Sequence, residues 1–180
     1  MNKERENRPS TFTLEEVVRI AKEVALEHGG HVPTLIAEGN KRAFGGQIAN
    51  LPETHEDRVR WMLSAGYALA QSGEVGDLRQ VFFISEGWMV VGDEGAPLAS
   101  RPSLDPKRKE VLVISNLSTR EQESQLVIFE MVRDVEGQLA ELRDIQLPDE
   151  NEEGHAETPL LDAFVDGFRM GVSDRGGVML

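Results

Sequence analysis

An α+β fold with a mostly antiparallel sheet of five to six strands is predicted by three observations. Stretches of helical periodicity and short apolar runs follow one another in the order α-β-β-α-β-β-β-β-α. Few of the links between strand-like runs are long enough to carry a crossover to a parallel neighbour. The length, 180 residues, suits one core with about three helices packed on the sheet.

The first helix is expected over 13–28. Thr13 and Glu16 have the spacing of a capping box, Phe12 and Val17 that of a hydrophobic staple, and Gly29-Gly30 supplies the stop. Its apolar stripe reads Val17, Ile20, Ala21 and Val24. Val32–Ala37 and Ala43–Leu51 are too short for helices, and Glu38-Gly39-Asn40-Lys41 between them has the composition of a hairpin turn. Gly45-Gly46 reads as a bulge. Thr54 opens a second helix whose stripe is Val59, Met62, Leu63, Gly66, Leu69 and Ala70, and Gly73 ends it. Its small residues Ala65, Gly66, Ala68 and Ala70 would let it lie close against a sheet.

From Leu78 to Val91 both alternating sets of side chains are apolar, which implies a strand covered on both faces. After a long Gly- and Pro-rich loop at 92–108, runs at 110–116, 125–133 and 139–145 form a meander whose last strand has a charged edge. Thr158 and Pro159 then start a last helix with Leu160, Leu161, Phe164, Val165 and Phe168 on its buried side. The domain reading is a flexible leader at 1–12, an α+β domain at 13–147, an acidic linker at 148–157 expected to be mobile, a C-terminal helix at 158–172 packed on the same domain, and a tail at 173–180 closed off by Gly171, Gly176 and Gly177. A core of Ile20, Val24, Leu63, Phe82, Ile84, Val113, Ile128 and Phe164 in one contiguous cluster is expected.

Net charge is −13, and residues 111–180 carry most of it. So acidic a chain is repelled by phosphate backbones and anionic lipid, which argues against nucleic acid and membrane as partners. No run of about 18 apolar residues suggests a membrane span, and the N-terminal stretch has no signal-peptide core. With no cysteine there is no disulfide, no thiolate metal site and no thiol nucleophile, in keeping with a cytoplasmic location.

Little in the sequence has the spacing of known chemistry. His28 and His31 flank a helix-breaking Gly29-Gly30, so they do not share one rigid face as a metal pair would. His55 belongs to an acidic helix cap and His155 to the linker. No metal and no cofactor is expected, and no glycine pattern matches a phosphate-binding loop. The most unusual local feature is Glu86, a carboxylate in an apolar strand on the face of Ile84 and Trp88. It is either a salt-bridged structural residue, with Arg79 or Arg101 as partner and Gly87 bending the chain, or a general acid–base paired with Asp105 or Glu110. Arg101, Lys107, Arg108 and Lys109 gather on the following loop and, with Trp88, are the candidate contacts for an acidic partner or for the chain's own 149–157 stretch.

Ser85-Glu86-Gly87-Trp88-Met89 and Pro102-Ser103-Leu104-Asp105-Pro106-Lys107-Arg108-Lys109-Glu110 resemble a family of small prokaryotic proteins of unknown function that share Ser-Glu-x-Trp-Met followed by Pro-Ser-x-Asp-Pro-x-Arg-x-Glu. The resemblance spans roughly residues 81–133. It implies a common site or folding element there and brings no substrate. The order of elements is also similar to that of roadblock-type and profilin-like domains, an analogy of fold alone. A non-enzymatic binding or regulatory domain, acting through a protein partner or a second copy of itself, is the expectation; the alternative is a small hydrolase-type enzyme using paired carboxylates around Glu86.

Overall fold

The computed structural model describes residues 12–90, 104–145 and 158–176. Three helices and six strands follow in the expected order: α1 (Leu14–His28), β1 (Thr34–Gly39), β2 (Ala43–Gln47), α2 (His55–Ser72), β3 (Leu78–Met89), β4 (Lys109–Ser118), β5 (Glu123–Arg133), β6 (Leu139–Asp144) and α3 (Pro159–Gly176). One six-stranded sheet, fully antiparallel, runs β2-β1-β3-β4-β5-β6. β3 lies inside it and its double-sided apolar character is used: Phe82 and Ile84 face α1, Val81 and Phe83 face α2 and α3. Among the described residues no helix is long and apolar enough to cross a membrane.

Capping chemistry places the helix ends where the sequence puts them. The Thr13 hydroxyl accepts from the Glu16 N–H at 3.2 Å, the Glu16 carboxylate accepts from the Thr13 N–H at 2.9 Å, and Gly29 closes α1 in the left-handed region at φ 73°. Those bonds to Thr13 hold the Glu16 carboxyl below its ordinary pKa. Thr54 caps α2 and Gly73 ends it with φ 66°. Thr158 departs from the expectation: its carbonyl accepts the first bonds of α3, from Leu161 and Asp162, while its buried hydroxyl has no hydrogen-bond partner among the described residues.

The expected single core is two clusters, because the sheet itself separates them. One joins β1 and β3 to α2 and α3 through Leu35, Val81, Phe83, Met62, Phe164 and Phe168; the other joins α1 to β3–β6 through Val17, Ala21, Phe82, Leu112, Ile114 and Phe129. Phe82, Ile84, Ile128 and Phe164 are buried as expected, whereas Val24, Leu63 and Val113 are half-buried and Ile20 is 44% exposed. The buried line of α1 is Val17, Ala21 and Ala25, spaced by four. Ile20 sits about 60° round the helix from Val17, on the side away from Ala21, so the small alanines rather than the larger Ile20 meet the sheet.

α2 lies close to α3, not to the sheet as its small residues suggest. A Cβ on Gly66 would stand 2.0 Å from the Phe164 carbonyl oxygen, one on Gly167 1.9 Å from that of Leu63, and one on Gly171 2.6 Å from that of Tyr67. Gly171 is therefore a packing position in a helix that continues to Gly176, beyond the expected end at 172. The Tyr67 hydroxyl donates to Asp174 at 2.9 Å, the Gln71 amide to the Gly171 carbonyl at 2.7 Å and the Arg175 guanidinium to the Ala70 carbonyl at 3.0 Å. Bonding to the Asp174 carboxylate raises the Tyr67 pKa.

Three local expectations are corrected. Glu38 belongs to β1 and is 2% exposed, so the hairpin turns at 40–42. The β1–β2 register is unbroken, pairing Thr34 with Gln47 through Glu38 with Ala43, so Gly45-Gly46 is no bulge. Phe12, assigned to the leader, packs against the α1 cluster, and its carbonyl accepts from the Gln80 amide at 2.8 Å. Residues 1–11 and 146–157, which include the expected acidic linker and His155, lie outside the described residues.

Candidate functional site

Glu86 lies on the α1 face of β3, in line with Phe82 and Ile84 as alternation requires. Its carboxylate accepts the backbone N–H of His31, just past the end of α1. Gly30 makes that approach possible: a Cβ there would stand 2.8 Å from Glu86 Oε1. Of the two expected salt-bridge partners, only Arg79 is among the described residues. Arg79 is an odd-numbered β3 residue and so lies on the opposite face, and Arg101 is outside the described residues. Gly87 does not interrupt the pairing: β3 and β4 stay in continuous register from Gln80 with Ser118 to Met89 with Lys109.

Among the described residues, a cation near Glu86 is Arg133, at the end of β5. Its Nε and Nη2 donate to the two oxygens of Glu110 at 2.7 and 2.8 Å, a bidentate pair, and its Nη1 donates to the carbonyls of Gly29 at 3.2 Å and Gly137 at 3.3 Å. The bonds to Glu110 raise the Arg133 pKa most, burial opposes them, and the charges of Glu110 and Glu86 add to the rise. Glu86, Glu110 and Arg133 thus form a three-strand charged cluster under the C-terminal end of α1. Sequence reasoning finds both carboxylates but not the arginine, which is distant in the chain and looks like the polar end of an apolar run.

Asp105, proposed as a partner carboxylate, is used locally: its Oδ1 accepts the Lys107 N–H at 2.7 Å, and no hydrogen bond joins it to Glu86 or Glu110. The described basic residues of the loop, Lys107, Arg108 and Lys109, do not share one surface. Arg108 stacks over Trp88, its guanidinium carbon 4.6 Å from the ring centroid, beside an indole that is 45% exposed. Lys109 points to the other face of the sheet, bonded to Glu130 at 2.8 Å. Lys107 is exposed on the turn that precedes them. The ends of the two stretches of the family resemblance meet, Trp88 opposite Glu110 and Met89 opposite Lys109.

Two features escape the sequence reading. One is Glu38, whose buried carboxylate accepts from the Gln80 amide at 2.7 Å; its place beside Gly39 and Asn40 makes it look like a turn residue. The other is the outer edge of β2. Phe44, Gly46, Leu35 and Ile48 on the hairpin and Trp61, Ala65 and Ala68 on α2 line an apolar groove of about 440 Å³ along that edge, with Phe44 itself 41% exposed. The available signal is a five-residue strand holding one aromatic residue and two glycines. Among the described residues no three of His, Asp and Glu gather closely enough to hold a metal ion. His31 turns its Nδ1 to the Val32 carbonyl at 2.8 Å, and His28 and His55 are exposed.

Compared with protein-family models, curated proteins and solved structures, the chain matches none.

Proposed function

We propose that the protein is a non-enzymatic cytoplasmic binding domain that works through protein–protein contacts, with the β2 edge and its groove as the contact surface. The open edge carries this reading. β2 ends the sheet among the described residues, and its outward backbone groups, which no described strand pairs, run beside an apolar groove, the arrangement that an added extended strand requires. The other terminal strand, β6, carries Glu141, Arg143 and Asp144, charges of the kind that discourage such pairing. Glu86 and Glu110, on the two middle strands of the sheet, support the reading as well. One is committed to a backbone N–H and the other to a bidentate arginine, a folding role that also suits the shared stretches of the family resemblance.

Photo-crosslinking in cells tests the proposal. A benzophenone amino acid placed at Phe44 should trap protein partners, while the same probe at exposed Arg143 on the opposite edge should not. Equal or absent crosslinking at the two positions would overturn it.

A further inference from the structure

A second pocket, of about 340 Å³, lies between α3 and the start of β3, away from the β2 edge. Val165, Phe168 and Val172 on α3 and Leu78 on β3 supply its apolar lining, and Thr119 and Ser173 stand beside them. Val172 is left 37% exposed. We infer that this pocket is the docking site of the chain's own Val178, Met179 and Leu180, delivered to it by a left-handed turn at Gly177. Residues 177–180 lie outside the described residues.

The other two helices show how the chain leaves α3. Gly29 directly follows α1 with φ 73°, and Gly73 directly follows α2 with φ 66° and donates its N–H to the Ala70 carbonyl at 3.1 Å. Gly177 stands in the same place after α3, whose last residue is Gly176. The final carbonyls of a helix need donors from beyond it, and a left-handed residue just past the end supplies them by turning the chain back on the last turn. The Gly177 N–H then meets the Asp174 carbonyl, as Gly73 meets that of Ala70. In such a turn the following residue packs on a side chain five or six positions before it, which sets Val178 on Val172. A Cβ at Gly176 would meet nothing within 4 Å, so no close packing calls for glycine there, and the Gly176-Gly177 pair serves the reversal of the backbone.

Composition and reach agree on the occupant. Val178-Met179-Leu180 carries no charged side chain in a chain of 32 acidic and 19 basic residues, so it gains from apolar cover. Three residues reach roughly 10 Å, enough to fill a pocket that their own helix lines. The groove at β2 is the wrong side of α2 for them. Trp61, Ala65 and Ala68, which line it, fall on the opposite side of the helix from Leu63, Gly66 and Ala70, which meet α3.

Methyl-resolved NMR of the full chain tests the docking directly. Val178 methyl groups should show nuclear Overhauser contacts to those of Val172, and Met179 or Leu180 to Leu78, at every protein concentration. Val178→Asp puts a charge into the pocket and should lower the melting temperature by roughly 2–4 °C, with the helix and sheet content unchanged by circular dichroism. Gly177→Ala, strained in the left-handed region, should destabilise similarly, and Gly177→Asn, which tolerates that region, should recover most of the loss. Absence of contacts from Val178 to α3 or β3, or a melting temperature that Val178→Asp leaves unchanged, would overturn the inference. Contacts that fade on dilution would put these residues on a second copy, and contacts to Trp61 or Ala68 would put them in the β2 groove; either result would overturn it equally.

Discussion

Arg133 holds together three parts of the chain that are far apart in sequence: the α1 C-cap through the Gly29 carbonyl, β4 through Glu110, and the β5–β6 turn through the Gly137 carbonyl. A guanidinium at the last carbonyls of α1 also complements the helix dipole. Arg133→Ala should lower unfolding free energy by roughly 1–3 kcal/mol in urea titration, since it strands a half-buried Glu110. Arg133→Lys should recover little of that, because an ammonium cannot supply the fork. Wild-type stability in either variant would make the cluster incidental. Glu86→Gln keeps an oxygen for the His31 N–H and should be milder than Glu86→Ala. At the other end of α1, Glu16 gives a pH signature. Its carboxyl pKa is lowered in the folded state, so its contribution is present above the ordinary value of 4.5 and is lost as pH falls through the lower folded value. Glu16→Gln should remove that part of the acid dependence, so melting temperatures of the two proteins should converge as the buffer is taken from neutral to strongly acidic. A gap that stays constant would refute the linkage.

At the scale of elements, the α2–α3 contact depends on three glycines. Gly167→Ala must push the Leu63 carbonyl away and should cost at least about 2–3 kcal/mol, whereas Gly87→Ala, with open space at its Cβ, should be nearly neutral. Comparable melting temperatures for the two variants would contradict the close approach. This contact also shows why some elements were legible and others were not. Capping residues act within four positions, so Thr13, Glu16, Thr54 and Gly73 mark helix ends without knowledge of the rest of the chain. A row of small residues states that something comes close but not what, and Gly66 reads the same whether a sheet or a helix lies on it. In α1 the hydrophobicity of Ile20 outweighs that of Ala21 and Ala25, yet close packing selects the alanines. The alternation of β3 places Glu86 beside Ile84 and Trp88 correctly. Its partners, His31 and Arg133, come from positions that only the folded topology brings near. The β2 edge was illegible for a related reason: being last in the sheet is a property of strand order, which no local pattern encodes.

Taken whole, the molecule is a sheet with a separate apolar layer on each face, and β3 is common to both. Phe82, fully buried between β3 and α1, should be among its most costly truncations: Phe82→Ala is expected to lose about 3–5 kcal/mol by calorimetry or denaturant titration. An unchanged melting temperature would deny the two-layer arrangement. The layer on the α2 side has a further consequence during synthesis. α2 ends at Ser72 and the helix that covers it begins at Pro159, an interval of 159 − 72 = 87 residues. At ~5–20 residues per second, translation takes roughly 4–17 s to cross that gap. Throughout it the side of α2 that carries Gly66 and packs against α3 lacks that cover, so the nascent chain carries an open apolar surface that any holdase or neighbouring chain on the same message can reach until the last helix has left the ribosome.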